Sequence, residues 1–477
     1  MIWVIALATI VFVVINYHIG KKDIFFPGFI FCGAFLFSEF VCIFESQTFQ
    51  LSFHYQTLMV LIVGFTAFTL VSWGSMKYYY ISIPVSNHKK YESGSLKSVH
   101  INGLAVYSLI VIQIVVIGLF IGYLSSIATA YGQAGLGLNG KIELFDKLTK
   151  FLPDDFKALQ VPVPILYRIL NPIAEAGAYI TVYVAVNNYC YSKKLHLWTI
   201  LPIILLCFQI VLNGSRTPLF RIITMMMFLV YMFKIKNSSA VVRRRFIKVI
   251  IILLGVVAIS FIMILIIMGR GGTEMSLNRY LFIYTGAPLA NLDTYLSSEN
   301  VNHSSQLFAQ QTFRNLYQYL EKLTGLSTFG APNILFFQTS PSGVEIGNVY
   351  TTFYQFFYDF GYIGVFVFTA IMAAFYNIMY LWLCKARNFL NGHMSYQLFI
   401  YSYLFNDLIM SIFSNRFYET ILEPPFIKIA IISAGIVFFI VNWRYHNDFS
   451  IGKKIDDFYQ RIQSITKRIM TSKTGRS

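Results

Sequence analysis

The sequence predicts an all-α fold, a polytopic transmembrane helix bundle of about eleven spans with thirteen as the upper bound, carrying a large helical loop outside the membrane. Three observations predict it. Of 477 residues, 56% are hydrophobic and only 12% are charged, with a mean hydropathy of +0.61. Residues 103–124 and 249–268 each run twenty or more positions without a charge, enough to cross about 30 Å of hydrocarbon as helix. Basic residues gather in alternate connections between the apolar runs, as the positive-inside rule requires of such a bundle. The alternating ten-residue segments of a membrane β-barrel are not seen.

In chain order the apolar runs fall at about 2–17, 24–44, 56–74, 103–125, 169–190, 196–213, 218–233, 247–268, 361–384, 394–413 and 424–442. The first lacks a basic leader and a small-residue cleavage site and is followed by Lys21 and Lys22, so it reads as an anchor. One set of connections holds Lys21/Lys22, Lys77/Lys89/Lys90/Lys97, Lys193/Lys194, the 234–248 cluster, Lys385/Arg387 and the tail, together 24 of the 37 basic residues. Assigned to the cytoplasm, these place the N-terminus outside and the C-terminus inside. Two long segments are then outside: a first outer loop at 126–168 and a large outer loop at 269–360. The whole chain, 1–477, reads as a single transmembrane domain. Its tail, 443–477, carries apolar residues at helical spacing and a basic face, the pattern of a segment lying along anionic inner-leaflet lipid.

The net charge of +16 would suggest nucleic acid as a partner in a soluble protein, but here it follows membrane sidedness, and membrane lipids are the partners it predicts. The five cysteines lie in or beside apolar runs, without metal-ligand spacing, so neither disulfides, a metal nor another cofactor is expected. Adjacent Asp154 and Asp155 read as solvated surface. No internal repeat is visible, which weighs against a transporter built from matching halves.

Four ionisable residues interrupt the spans: Glu39, Glu175, Arg221 and Asp407. With Arg168, Arg216, Glu419, Glu423 and Lys428 at outer helix ends, they suggest a polar vestibule facing outward, or charges paired to hold helices together. The cations differ by side. From residue 168 onward the outer side carries Arg168, Arg216, Arg221, Arg270, Arg279, Arg314 and Arg416 against only Lys322 and Lys428. Guanidinium binds phosphate oxygens in a planar fork, so an anionic ligand such as a diphosphate is expected. In NGSRTPLFR, Thr217 and Pro218 form a helix start, and an anion could be shared between Arg216 and the free N–H groups of that start. Arg270, before Gly271-Gly272, also fits a simple interaction with a helix C-terminus.

In the large outer loop, RYLFIYTGAPLANLDTYL (279–296) and LFAQQTFRNLYQYLEKL (307–323) show helical spacing and are expected to lie on the membrane surface over a site. Tyr280, Tyr284, Tyr295, Tyr317, Tyr319 and Tyr350 could stack on sugars or form an interfacial belt. NGSRT at 213–217, GRGG at 269–272, RYLFIYTGAP at 279–288 and NVYTTFYQFFYDFGYIG at 348–364, in that order, resemble the bacterial O-antigen and oligosaccharide repeat-unit polymerases of the Wzy type, over roughly residues 200–420.

That resemblance implies a GT-C-like membrane enzyme working at the outer face of the plasma membrane. It would transfer a growing glycan from undecaprenyl diphosphate to the next lipid-linked repeat unit, without a metal, and could meet a chain-length-regulating co-polymerase. Related O-antigen ligases use outward arginines at positions like Arg216 and Arg270. They also carry a His-Asn pair where this chain has Gly347-Asn348, a departure that favours a polymerase over a ligase. Breaking a glycosyl–diphosphate bond needs positive charge where negative charge develops. Arg216 and Arg270 are expected to supply it, with Arg221, Arg279, Arg314 and Arg416 as further anion contacts and Tyr280, Tyr284, Asn348 and Tyr350 as substrate contacts. The base for the acceptor hydroxyl is open among Asp359, Glu345, Glu274, His303 and Glu419, with Asp359 preferred and Glu345 second.

The competing readings are a ligase handing the glycan to another carrier, and a flippase or exporter of lipid-linked oligosaccharide. A flippase would line both leaflets with charge, whereas the intramembrane charges here favour one side. Fluorescence tags at positions 88 and 303 are expected to fall on opposite faces, the first protected from an external quencher and the second not; equal protection would break the assigned alternation.

Overall fold

In hydrocarbon no water is present to hydrogen-bond the backbone, so each apolar run must satisfy its own N–H and C=O groups as helix. The computed structural model describes residues 1–81, 96–150, 152–194, 196–215, 217–236, 277–298, 305–326, 335–386 and 388–442, with isolated positions between 238 and 248. The helices are α1 (Ile2–Ile19), α2 (Pro27–Glu45), α3 (Tyr55–Ile81), α4 (Gly103–Ala130), α5 (Leu138–Lys150), α6 (Pro153–Ala158), α7 (Ile165–Ser192), α8 (Leu197–Leu212) and α9 (Thr217–Val230). They continue with α10 (Leu277–Thr285), α11 (Ala287–Ser297), α12 (Arg314–Thr324), α13 (Thr352–Ala386), α14 (Tyr396–Ile409), α15 (Arg416–Ile421) and α16 (Pro424–Ile436). Two short strands, β1 (Gln338–Thr339) and β2 (Glu345–Gly347), pair antiparallel before α13.

Among the described residues eight helices, counting the π-helical extensions of α9 and α16, are long and apolar enough to cross a membrane. The shorter α8 and α14 occupy two more of the expected runs. The expected span at 247–268 and the tail at 443–477 lie outside the described residues. Burial is inverted relative to a soluble protein. Trp3 and Leu7 are each 63% exposed, whereas Thr9, Asn16, Glu39, Gln113, Asn377 and Asp407 are buried. Such a surface is stable only against lipid.

The chain divides into two compact units, one of Met1–Ser93, Lys236–Arg387 and Ile400–Ile427, the other of Gly94–Ile235, Asn388–Phe399 and Lys428–Ser477. In the first unit α13 runs against α3, and α1 packs on α2 and α3. Gly64 of α3 makes the first approach possible, since a Cβ there would stand 2.3 Å from the Phe353 ring. That ring stacks on Phe35 at 5.1 Å and meets Phe31 and Phe65 edge-on. Polar rungs tie α1 to its neighbours: Thr9 donates to Glu39 at 2.7 Å, and the Asn16 amide donates to Thr69 at 2.7 Å. In the second unit α7 packs on α4, α8 and α9, and Gln113 of α4 donates to the Pro202 carbonyl of α8 at 2.9 Å.

Connections that the lysines assign to one side meet one another. In the first unit Lys236 contacts Asp23 at 2.9 Å and the Tyr380 hydroxyl at 2.6 Å. In the second, Val99 N–H donates to Asn187, Lys97 N–H to the Leu390 carbonyl, and Met394 exchanges two hydrogen bonds with Asn442. At the other helix ends of the first unit, the 46–54 connection meets α11, and α12 meets the 413–423 segment.

The run at 279–296 is helical as its spacing predicts, in two helices that meet at Gly286, where a side chain would collide with Phe282 at 2.8 Å. One expectation needs correction. The run at 307–323 is helical only from Arg314, because the N–H groups of Gln311 and Thr312 donate to the Asp359 carboxylate instead of to helix carbonyls. Gly64→Ala should displace Phe353 and destabilise the first unit by on the order of 1–3 kcal/mol, read as a lower thermal midpoint in micelles; an unchanged midpoint would show that the ring can move aside freely.

Candidate functional site at the outer-assigned helix ends

The first unit gathers polar side chains where α10 to α13, α15 and the chain after α14 come together. Arg314 Nη2 stands 3.2 Å from Glu419 Oε1, with side chains 17% and 7% exposed. Asn315, next along α12, donates to the Glu423 carboxylate. Charge-assisted bonds shielded from water in this way hold α12 on α15. Arg416 begins α15 and is half-buried, with its guanidinium carbon 5.6 Å from the Phe413 ring centre. Phe413 in turn stacks on Tyr284 of α10, 6.2 Å away and tilted by only 11°. Among the described residues Arg416 has no carboxylate within ion-pair distance. A half-desolvated guanidinium on an aromatic face is a cation that an anion can still approach.

Asp359 sits where α13 breaks. Phe360 and Gly361 leave helical geometry, Gly361 at φ 58, which a glycine adopts without strain. The Asp359 carboxylate accepts from Gln311 N–H at 3.1 Å, Thr312 N–H at 2.7 Å and the Ser305 hydroxyl. Asn415 completes this clasp by donating to the Thr312 carbonyl at 2.9 Å. Both carboxylate oxygens therefore organise the 305–313 loop, the role of a helix-end acceptor more than that of a base. Glu345, the second expected base, is exposed on β2.

Four tyrosines line the adjoining face. Tyr354 stacks on Tyr350 at 4.4 Å, meets Tyr295 at 4.7 Å and neighbours Tyr358 at 6.0 Å. The Tyr350 hydroxyl donates to the Phe336 carbonyl and accepts from Gln338, which ties the hairpin to α13. Burial raises the phenol of Tyr350, and burial with the neighbouring Tyr358 and Asp359 charges raises that of Tyr295. Burial and Asp359 raise Tyr317 likewise. These phenols stay protonated and serve as hydrogen-bonding, stacking groups. Asn348 is half-buried beside them, and Asn291 donates to the Gly347 and Val349 carbonyls on either side of it.

One pair in this region is not visible in the sequence. His54, just before α3, donates its backbone N–H to Asp293 Oδ1 at 2.8 Å and sets ring Nδ1 2.8 Å from Asp293 Oδ2. Thr57 also donates to Asp293 Oδ1. The Asp293 side chain is 3% exposed and the His54 ring 46%.

In the second unit, the turn before α9 is packed by an acid from α5. Gly214, at φ 65, lies so close to Asp146 of α5 that a Cβ would stand 2.8 Å from Asp146 Oδ1. Glu175 accepts from Asn171 at 3.1 Å, Asn171 accepts from Gln209, and Arg221 is within electrostatic reach of Glu175. Glu39, Glu175 and Arg221 thus face neighbouring helices, and Asp407 accepts from Asn406 at 3.4 Å inside the bundle. Glu39 is bonded across to α1 and Glu175 lies within reach of Arg221 on α9, whereas the Asp407 bond to Asn406 is local to α14.

Of the expected site, Arg314, Arg416, Tyr284, Asn348, Tyr350, Asp359 and half-buried Arg279 lie in the first unit and Arg221 in the second. Arg216, Arg270, Glu274 and His303 lie outside the described residues, as does the side chain of Tyr280. Asp359→Asn removes one acceptor oxygen, so hydrogen exchange at the Gln311 and Thr312 amides should quicken by about tenfold or more, the equivalent of a buried bond worth ~1–3 kcal/mol; unchanged protection would refute the anchoring role. No family model, curated protein or solved structure matches this chain.

Proposed function

We propose that the protein is a metal-independent glycosyltransferase of the GT-C class that polymerises undecaprenyl-diphosphate-linked oligosaccharide repeat units into surface polysaccharide, O-antigen, capsule or exopolysaccharide. It works at the outer face of a bacterial plasma membrane, with about eleven spans, an outward N-terminus and a cytoplasmic C-terminus. The observation that carries this reading is Arg416, a half-buried cation with no carboxylate partner among the described residues, set on Phe413, whose ring stacks on Tyr284, where connections of opposite sidedness to the lysine-rich ones converge.

A lipid diphosphate presents two phosphates at the membrane surface and a sugar beyond them. Guanidinium supplies the charge that stabilises the departing diphosphate, and preorganisation on α15 means little rearrangement is needed as that charge develops. Arg314 is held by Glu419 and so contributes mainly by fixing α12 over α15. Arg216 and Arg270 remain candidates for the diphosphate grip on sequence grounds. The protonated phenols near Tyr354 suit a neutral glycan, which needs stacking and hydrogen bonds instead of charge. Growth from one lipid-linked donor to the next would yield a ladder of chain lengths, whereas a ligase would yield transfer of a single block.

Deletion of the gene should leave single repeat units on electrophoresis of the surface polysaccharide. Arg416→Ala, Arg216→Ala and Arg270→Ala, each still reaching the membrane, should cut polymer formation by about 100-fold or more, the scale of one lost charge-stabilising donor. Wild-type ladders in a given variant would remove that arginine from the mechanism.

A further inference from the structure

His54 and Asp293 come from segments 239 residues apart and form a carboxylate–imidazole pair in the first unit. The carboxylate is immobilised. Asp293 Oδ1 accepts from the His54 backbone N–H and the Thr57 hydroxyl, and Oδ2 faces His54 Nδ1. Its side chain is nearly sealed from solvent, at 3% exposure. An ionised carboxylate can only accept, so Nδ1 must carry the proton, and in neutral imidazole this leaves the lone pair on Nε2. The His54 side chain is 46% exposed, open to solvent and to a substrate hydroxyl. Such an arrangement fixes tautomer and direction together, and it stabilises the imidazolium that forms when Nε2 takes a proton.

Neither acid expected from the sequence is as well disposed. Asp359 has both oxygens engaged by the 305–313 loop, and Glu345 has no orienting partner among the described residues and stands exposed on β2. His54 has the access that Asp359 lacks and the orientation that Glu345 lacks.

We propose that His54 is the catalytic base that deprotonates the acceptor sugar hydroxyl, with Asp293 as its positioning residue; this rests on the polymerase reading above. In the step, His54 Nε2 takes the hydroxyl proton as the acceptor oxygen forms its bond to the donor anomeric carbon. The bond from that carbon to the diphosphate oxygen breaks, and the electron pair leaves with the lipid diphosphate. The imidazolium then returns its proton to solvent, which reaches the half-exposed ring.

The full-length protein in nanodiscs would be supplied with the lipid-linked repeat units that accumulate in a host lacking the gene. His54→Gln keeps the backbone bond to Asp293 and a side-chain donor but cannot take a proton. It should lower kcat by about 100-fold or more with KM little changed, in keeping with the contribution of a positioned base. His54→Ala should be equally slow and should recover activity with added imidazole, a rescue that a purely structural clasp cannot show. Asp293→Asn should lower kcat without imidazole rescue. Wild-type kcat in His54→Gln, or a slow His54→Ala that imidazole leaves slow, would overturn the assignment while the polymerase reading stands. Wild-type protein that releases no lipid diphosphate from these donors would overturn both.

Discussion

The structure depends on one constraint: inside hydrocarbon every polar group must find its partner within the protein. Backbone groups meet it by forming helices, and side chains meet it in pairs. Thr9 with Glu39, Asn16 with Thr69 and Gln113 with the Pro202 carbonyl are solutions of this kind, each joining two helices at a depth where water cannot serve. Hydrogen bonds of this type contribute little net stability, because the separated helices in a bilayer also find partners. Their effect is mainly to set which face of each helix meets its neighbour.

Close packing supplies the rest. With lipid on the outside there is no hydrophobic gain in bringing two apolar helices together, so contact area and fit decide. The α3–α13 contact shows this, with Gly64 leaving room for Phe353 and three further phenylalanines filling in around it. Because Phe353 lies at the start of α13, the same contact fixes the outer-assigned end of that helix, and with it the tyrosine face and Asp359.

Where the chain leaves the hydrocarbon, the accounting changes. Asp359 stands just before the break at Phe360 and Gly361, and its carboxylate accepts from the loop before α12. Asn415 and Glu419 bind the same region from the other side, so α12, α13 and α15 form one hydrogen-bonded assembly. Rigid support of this kind is what a cation such as Arg416 or a base such as His54 needs, since a loosely held group loses its advantage over one in water. The acids at the outer-assigned helix ends thereby separate into two kinds. Glu419 and Asp359 hold the frame, and Asp293 holds a titratable ring.

Composition and hydropathy determined that this chain enters a bilayer as helices, and placed most helix ends within a few residues. They did so because transfer free energies act locally and add along the chain, so that twenty apolar positions reveal a span without reference to anything else. What only the tertiary structure decided is which side chains meet. Arg314 and Glu419 are 105 positions apart, and His54 and Asp293 are 239 apart. No periodicity links such pairs, because their meeting depends on the rotation and register of separate helices. For the same reason Asp359, which the chain alone offered as a base, became a loop anchor once the Gln311 and Thr312 amides arrived beside it.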